Sequence, residues 1–350
     1  MAFMNRYMKI QSGMKPRCYL LCLVILTALL AGCSHNEKNN GIGAISKSHK
    51  AEETPDKDVV IRIEDDSDSY TTSKATESED NATDVVEAAE ESEDTQVNLP
   101  ESEQIALNTE WKYADYTKIN SGTATLYYAK GNRRDRVIGI NAGHGTSGGQ
   151  SVKTQCHPDG SAKVTGGTTA AGSTTAVAVS GGMTFHDGSK EANVTYAEAV
   201  IVKDKLLAAG YDVLMIRDGD DVQLDNIART VIANNTADCM ISLHWDGDNL
   251  DYDKGCFYIS TPDGIKGMEP VASHWQEHES LGKALVNGLK EKGCKIYKNG
   301  SMSIDLTQTS YSTIPSIDIE LGNAASSHDE ATLGTLADGL VLGIDDFFAN

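Results

Sequence analysis

Four side chains in this sequence have types and positions that could do chemistry together. His144 follows the apolar run "VIGINAG", His244 closes "CMISLH", and Glu320 ends "SIDIE". Glu191 opens a stretch with helical spacing of apolar residues. Two imidazoles and a carboxylate suit Zn²⁺, which takes three protein ligands in hydrolytic sites and keeps one position for water. A second carboxylate outside the ligand set would remove and relay the proton of that water. The residue types alone leave open which glutamate plays which part. Each residue also has a plainer use. A histidine at a strand end is ordinarily a hydrogen-bonded structural residue, and a glutamate at a helix start complements the helix dipole. The joint arrangement is what points to a metal.

For these residues to meet, the segments that carry them must converge. Thr123–Lys130, Arg136–Gly143, Tyr211–Arg217, Asp238–His244, Gly255–Ser260 and Ser316–Leu321 read as strands. Glu191–Gly210, Val222–Asn235, Glu277–Cys294 and the tail from Asp329 read as helices, with Gly210 as a stop. Apolar strands alternating with amphipathic helices imply an α/β fold with a mostly parallel central sheet flanked by helices. In such a sheet sites gather at the C-terminal rim of the strands, and the zinc site is expected there. The connection Gly145–Ser189 is long and rich in Gly, Thr, Ser and Ala. It is expected to govern substrate access rather than hold the core.

With those segments in view, "INAGHG", "KEANVTYAEAVIVKDKLLAAGYDVLMIRDGDDVQL", "IARTVIANNTADCMISLH" and "PSIDIELGN" resemble the zinc-dependent N-acetylmuramoyl-L-alanine amidases (peptidoglycan amidases, type 3). The resemblance runs from Arg136 to the C-terminus. It implies an α/β catalytic domain in which His144, Glu191 and His244 hold Zn²⁺ and Glu320 is the catalytic glutamate. It also implies peptidoglycan as substrate, cut at the amide between N-acetylmuramic acid and L-alanine. Two departures stand out. The Gly145–Ser189 connection is longer than in many members, and Trp245-Asp246-Gly247-Asp248 follows "SLH" where a small residue and asparagine are common. Trp245 could stack on substrate or pack beside the site.

The 350 residues carry a formal net charge of −21, with the acid concentrated before Leu107. No Lys/Arg stripe and no phosphate-binding loop is present, so neither nucleic acid nor nucleotide is an expected partner. Lys9, Lys15 and Arg17 precede an apolar run, Tyr19–Leu30, that is short for a membrane span. It ends Leu30-Ala31-Gly32-Cys33, which resembles a bacterial lipobox. Residues 1–32 are thus expected to be a lipoprotein signal peptide and Cys33 the lipid attachment site. The protein would then be exported and held at the cell membrane, facing the wall. Residues 33–106 read as a disordered acidic tether. A coil of about 70 residues spans roughly 45 to 50 Å. Residues 107–135 read as an N-terminal extension of the catalytic domain, which occupies residues 136–350. Of the seven cysteines, Cys156, Cys239, Cys256 and Cys294 lie in the domain, without metal-binding spacing and without a disulfide framework being expected.

Competing signals are weaker. "HWQEH" (His274–His278) matches the H-x-x-E-H pattern of inverted zinc peptidases and is read as a chance match. The acidic Asp246–Gly255 misses calcium-loop spacing and reads as a solvated turn. Two alternatives to an amidase remain: a zinc peptidase acting on the stem peptide, and an inactive wall-binding lipoprotein.

Overall fold

Strands that are apolar on both sides need a cover on both faces. In β6 (Asp212–Met215), Val213 and Met215 face one core, while Leu214 and the following Ile216 face another. The computed structural model describes residues 99–349. The expected signal segment, Cys33 and the tether up to residue 98 lie outside the described residues.

The sheet opens at one edge with β1 (Ser102–Ala106) antiparallel to β2 (Thr123–Tyr127). Next in the chain, β3 (Val137–Ala142) leads into the long connection, which contains a small antiparallel ribbon of β4 (Lys153–Gln155) and β5 (Thr175–Val177). Helix α1 (Glu191–Ala208) returns the chain to β6, and α2 (Asn226–Thr236) leads to β7 (Cys239–Asp246). Then follow β8 (Cys256–Ser260), α3 (Val271–Glu291), β9 (Ile296–Ser303), the short α4 (Thr307–Tyr311), β10 (Ser316–Asn323) and α5 (Glu330–Ala349). The 8-stranded order is β1-β2-β6-β3-β7-β10-β8-β9. The central strands β6, β3, β7 and β10 are parallel, with antiparallel pairings of β2 to β6 and β8 to β10. Helices α1, α3 and α5 cover one face through Val202, Leu206, Leu285 and Leu340. Helix α2 covers the other through Ala228 and Ile232. Each such fully buried aliphatic side chain contributes roughly 1.5–3 kcal/mol.

Several boundaries differ from the sequence reading, each for a local reason. The sheet begins ahead of Leu107. β1 is a polar edge strand whose pairing is reinforced by side chains, Gln104 to Thr125 at 3.0 Å and Tyr128 to Glu103 at 2.5 Å. Helix α2 starts at Asn226 rather than Val222 because Asp225 caps it. Asp225 Oδ1 accepts from Ala228 N at 2.8 Å, and Oδ2 accepts from Lys118 N and Ile119 N, tying down the N-terminal extension. Strand β9 carries Lys-Asn-Gly-Ser in its middle and gives no apolar signal. Cys156, Cys239, Cys256 and Cys294 are free thiols.

Helix α3 extends back to Val271, so both histidines of "HWQEH" lie on it. His278 is fully buried and its Nδ1 accepts from Ser316 N, the first residue of β10, at 3.0 Å. It is a core acceptor for a strand amide. His274 pairs instead with Glu277 on the surface at 3.1 Å. Burial, with the charge of His274 as a lesser cause, pushes the His278 pKa down to about 4. An unfolded chain would protonate it near 6.5. Between those values the unfolded state binds the extra proton, so stability is lost as pH falls from about 6.5 to 4, by about 3 kcal/mol in total. The melting temperature of the full chain is therefore expected to drop over that window, and to drop less steeply in His278→Gln. Equal slopes in the two proteins would show that His278 is not the group responsible.

Candidate functional site

At the carboxyl rim, β3 ends and the chain turns sharply through Gly143 and His144. His144 has a positive φ of 65°. Two buried arginines hold this turn by its carbonyls. Arg217 donates to Ala142 O and Gly143 O, both at 3.1 Å. Arg229 donates to Ala142 O at 3.2 Å and His144 O at 2.5 Å. Burial lowers Arg217 to about 10; burial and then the neighbouring Arg217 charge lower Arg229 to about 9. Both guanidiniums stay charged at neutral pH.

The turn aims His144 at Glu191, the first residue of α1. His144 Nδ1 donates to Ser180 O at 2.9 Å, and its Nε2 lies 2.8 Å from Glu191 Oε1, where a protonated ring donates to the carboxylate and a neutral one offers its lone pair. His244 lies beside them on β7. Its Nδ1 is 3.1 Å from Glu191 Oε1 and 3.2 Å from His144 Nε2. The two rings stand at 89° with centroids 4.8 Å apart. Glu191 Oε1 also accepts from Trp245 N at 3.1 Å, and Oε2 accepts from Met183 N at 2.8 Å. Burial pushes Glu191 towards protonation, but the hydrogen bonds and charges of the two histidines outweigh it and hold the carboxyl well below its usual range. Against the same burial, Glu191 lifts His244 to about 9.

Two glycines make the approach possible. A Cβ on Gly143 would sit 2.3 Å from His244 Cε1. At Gly182, with φ +79°, a Cβ would meet His144 Cδ2 at 2.8 Å and Glu191 Oε2 at 2.9 Å. The donor atoms of His144, Glu191 and His244 all lie within 4.8 Å of one another, the metal-capable group among the described residues. Two nitrogen lone pairs and a carboxylate oxygen at this separation fit a divalent cation of the zinc type.

Glu320 stands outside that group. It lies in register with His244 on the neighbouring strand, and its Oε2 is buried without a hydrogen-bond partner. Burial and nearby carboxylates, against the charge of His244, push it up to about 8. The structure thus brings all four sequence-derived residues to one rim and separates the two glutamates. Trp245 is buried, edge-on to Phe185 at 5.8 Å, so its ring packs beside the site. In the acidic turn after it, Lys254 pairs with both Asp246 and Asp248.

A cavity of about 770 Å³ opens over this rim, and the long connection walls it with Lys163, Thr168, Val179 and Gly182 among others. That connection is packed rather than loose: Cys156, His157 and Ala178 are fully buried. Asp305, in the turn after β9, clips it. His157 Nε2 donates to Asp305 Oδ1 at 2.9 Å, Lys163 Nζ to Asp305 O at 2.6 Å, and Val164 N to Asp305 Oδ2 at 2.8 Å. Burial would raise the Asp305 pKa, but the His157 bond and the Lys163 charge hold it below the ordinary value. Sequence reasoning missed Asp305, Arg217 and Arg229, whose partners are remote in the chain. It also missed Asp318, although its i, i+2 spacing from Glu320 on a strand places both on one face.

An α/β domain with a His-Glu-His group at its strand rim is the architecture of a candidate metallohydrolase. Residues 138–339 match the family of N-acetylmuramoyl-L-alanine amidases, Amidase_3, and the chain belongs to that family. Membership supports a peptidoglycan amidase activity. No curated protein sequence matches the chain. Among solved structures it is similar to the N-acetylmuramyl-L-alanine amidase Ami1 from Mycobacterium smegmatis, at 20% identity and TM-score 0.51, over 63% of this chain and 99% of that one. Ami1 from Mycobacterium abscessus is also similar, at 21% identity and TM-score 0.48, over 61% of this chain and 99% of that one. The first of these likenesses, at 20% identity, shows the fold alone.

Asp305→Ala leaves His157 and Val164 N without their carboxylate acceptor and Lys163 with only the backbone carbonyl of residue 305, a loss of about 3–5 kcal/mol for a broken buried pair. Limited proteolysis of that variant is expected to cut first between Gln155 and Thr175, where the wild-type chain resists. Identical cleavage maps would show that Asp305 does not hold the wall.

Proposed function

We propose that the chain is a zinc-dependent hydrolase that cleaves peptidoglycan at the amide between N-acetylmuramic acid and L-alanine of the stem peptide. His144, Glu191 and His244 hold the metal, and Glu320 moves the proton. The observation that carries this reading is the convergence of His144 Nε2, Glu191 Oε1 and His244 Nδ1 at the rim, with a free carboxylate oxygen of Glu320 beside them. It falls inside the segment that matches the amidase family.

Bound there, zinc supplies Lewis acidity and a water made acidic enough to attack at neutral pH. The chain's own residues do the rest. His144 is locked in the tautomer that presents Nε2, because Ser180 O takes the proton side of the ring. Glu191 is held ionised, with its second oxygen fixed by Met183 N. In its ionised form Glu320, with no hydrogen-bond partner on Oε2 among the described residues, can take a proton from the attacking water and return it to the leaving amine, and the charge of a bound cation would favour that form. The cavity has the volume to seat part of a glycan-peptide unit beside these groups.

His144→Ala is expected to lose zinc and activity together, by metal analysis beside amine release from peptidoglycan. Glu320→Gln keeps the three donors, so zinc should stay while turnover falls about 10²- to 10⁴-fold. If Glu320→Gln strips zinc as fully as His144→Ala, the division of roles between the two glutamates is wrong. Mass analysis of the products completes the test: intact free stem peptides support the amidase, and shortened stems would assign the chain to the zinc peptidases.

We further propose that the protein is exported and anchored to the membrane by lipid on Cys33, on the strength of Leu30-Ala31-Gly32-Cys33 after an apolar run. Cys33→Ala is expected to leave the membrane fraction with its catalytic activity unchanged. Retention of that variant on membranes would remove the anchor from the proposal.

A further inference from the structure

Beneath the metal-capable group the sheet register sets a row of buried polar side chains side by side. Asn141 on β3 pairs with Ser242 on β7, and Ser242 with Asp318 on β10. Asn141 Nδ2 donates to Ser242 Oγ at 3.0 Å. Arg229 Nη1 closes one end of the row by donating to Asn141 Oδ1 at 3.0 Å. Asp318 forms the other end. It is 6% exposed, its Oδ1 is buried without a hydrogen-bond partner, and its Oδ2 lies 3.8 Å from His244 Nε2.

His244 therefore stands between two carboxylates. Its Nδ1 faces Glu191 Oε1 at 3.1 Å, inside the metal-capable group, and its Nε2 faces Asp318. A neutral imidazole carries its proton on one nitrogen, so a ring that offers a lone pair at Nδ1 must carry N–H at Nε2. At 3.8 Å the contact with Asp318 is electrostatic rather than a hydrogen bond. An ionised Asp318 at that range favours the N–H tautomer on the side it faces. His144 has its orienting acceptor in Ser180 O. For His244, the acceptor group facing the outward nitrogen is Asp318.

As a packing element Asp318 is unfavourable. A carboxylate under the sheet rim with one oxygen unpartnered costs free energy that an amide or an aliphatic side chain of similar size would not. That cost separates a structural role from an orienting one.

We propose that Asp318 is a positioning residue for His244, holding the imidazole in the tautomer and direction that present Nδ1 to the metal. The inference rests on the zinc reading of the triad. Partners that orient a ligating histidine typically change metal affinity by 10- to 100-fold when removed.

The test uses the full chain with Asp318→Asn, Asp318→Leu and His144→Ala. Zinc affinity is measured by competition with a chromogenic chelator, the visible spectrum is recorded with Co²⁺ in place of zinc, and metal-free melting temperature is followed in parallel. Asp318→Asn is expected to weaken zinc by about 10- to 100-fold and to shift the Co²⁺ spectrum. Its metal-free melting temperature should be unchanged or higher, because a buried charge has been removed. Wild-type zinc affinity in Asp318→Asn, with His144→Ala devoid of metal, would overturn the inference and leave the triad standing. A fall in metal-free stability of both Asp318 variants in step with affinity would also overturn it, by making Asp318 part of the fold. Should His144→Ala itself keep zinc, the triad reading fails and this inference falls with it.

Discussion

A carboxylate oxygen buried in a protein must be compensated within hydrogen-bond reach, and the rim of this sheet is organised around one such atom. Oε1 of Glu191 meets His144 Nε2, His244 Nδ1 and Trp245 N, at 2.8, 3.1 and 3.1 Å. These partners come from the turn after β3 and from β7, while the oxygen comes from the start of α1. The parallel register of β3 with β7 and the entry angle of α1 are both tested by this one point. Its place at a helix N-terminus adds the favourable end of the helix dipole. The same convergence explains why Gly143 and Gly182 are glycines: any Cβ there would occupy space the two imidazoles and the carboxylate already fill.

The turn that delivers His144 depends on a second device. Its positive φ is uncommon for a residue with a side chain. The carbonyls it turns inwards would be costly if left alone. Arg217 and Arg229 take up three successive carbonyls, from Ala142 to His144, and among the described residues no carboxylate is hydrogen-bonded to either. A guanidinium spreads its charge over several fixed donors, which suits it to bridging backbone acceptors in one plane. The arginines thus belong to the site although neither reaches the metal-capable group.

How much of this could be read from the sequence follows from what is local and what is not. His144, Glu191, His244 and Glu320 were legible because each sits at the end or start of a strongly patterned element, and a parallel sheet brings such ends to one rim. The partition of the two glutamates was not legible from residue types; it depends on α1 starting beside β7, which only the fold decides. β1 and β9 were illegible because they are edge strands with mostly polar residues, each offering only a residue or two, such as Ile105 and Ile296, to the core. The start of α2 was misplaced because an apolar Val222-Gln-Leu pattern precedes the true cap at Asp225. "HWQEH" shows the reverse hazard. Its spacing places two histidines on one helix face, yet His278 spends its ring nitrogen on a strand amide inside the core.

The long connection after β3 was expected to govern access; the structure places it in the cavity wall and fastens it at two places. One stretch of it touches the metal-capable group directly: Ser180 O orients His144, and Met183 N holds Glu191. Another is fastened to the turn after β9 by Asp305 through His157, Lys163 and Val164. Between these two fixings it forms the cavity wall. The end nearer α1 thus bonds the side chains of His144 and Glu191, and the other end bonds Asp305. The connection is part of the site's first layer of support, and its glycine content reflects close approach at Gly182 as much as any freedom to move.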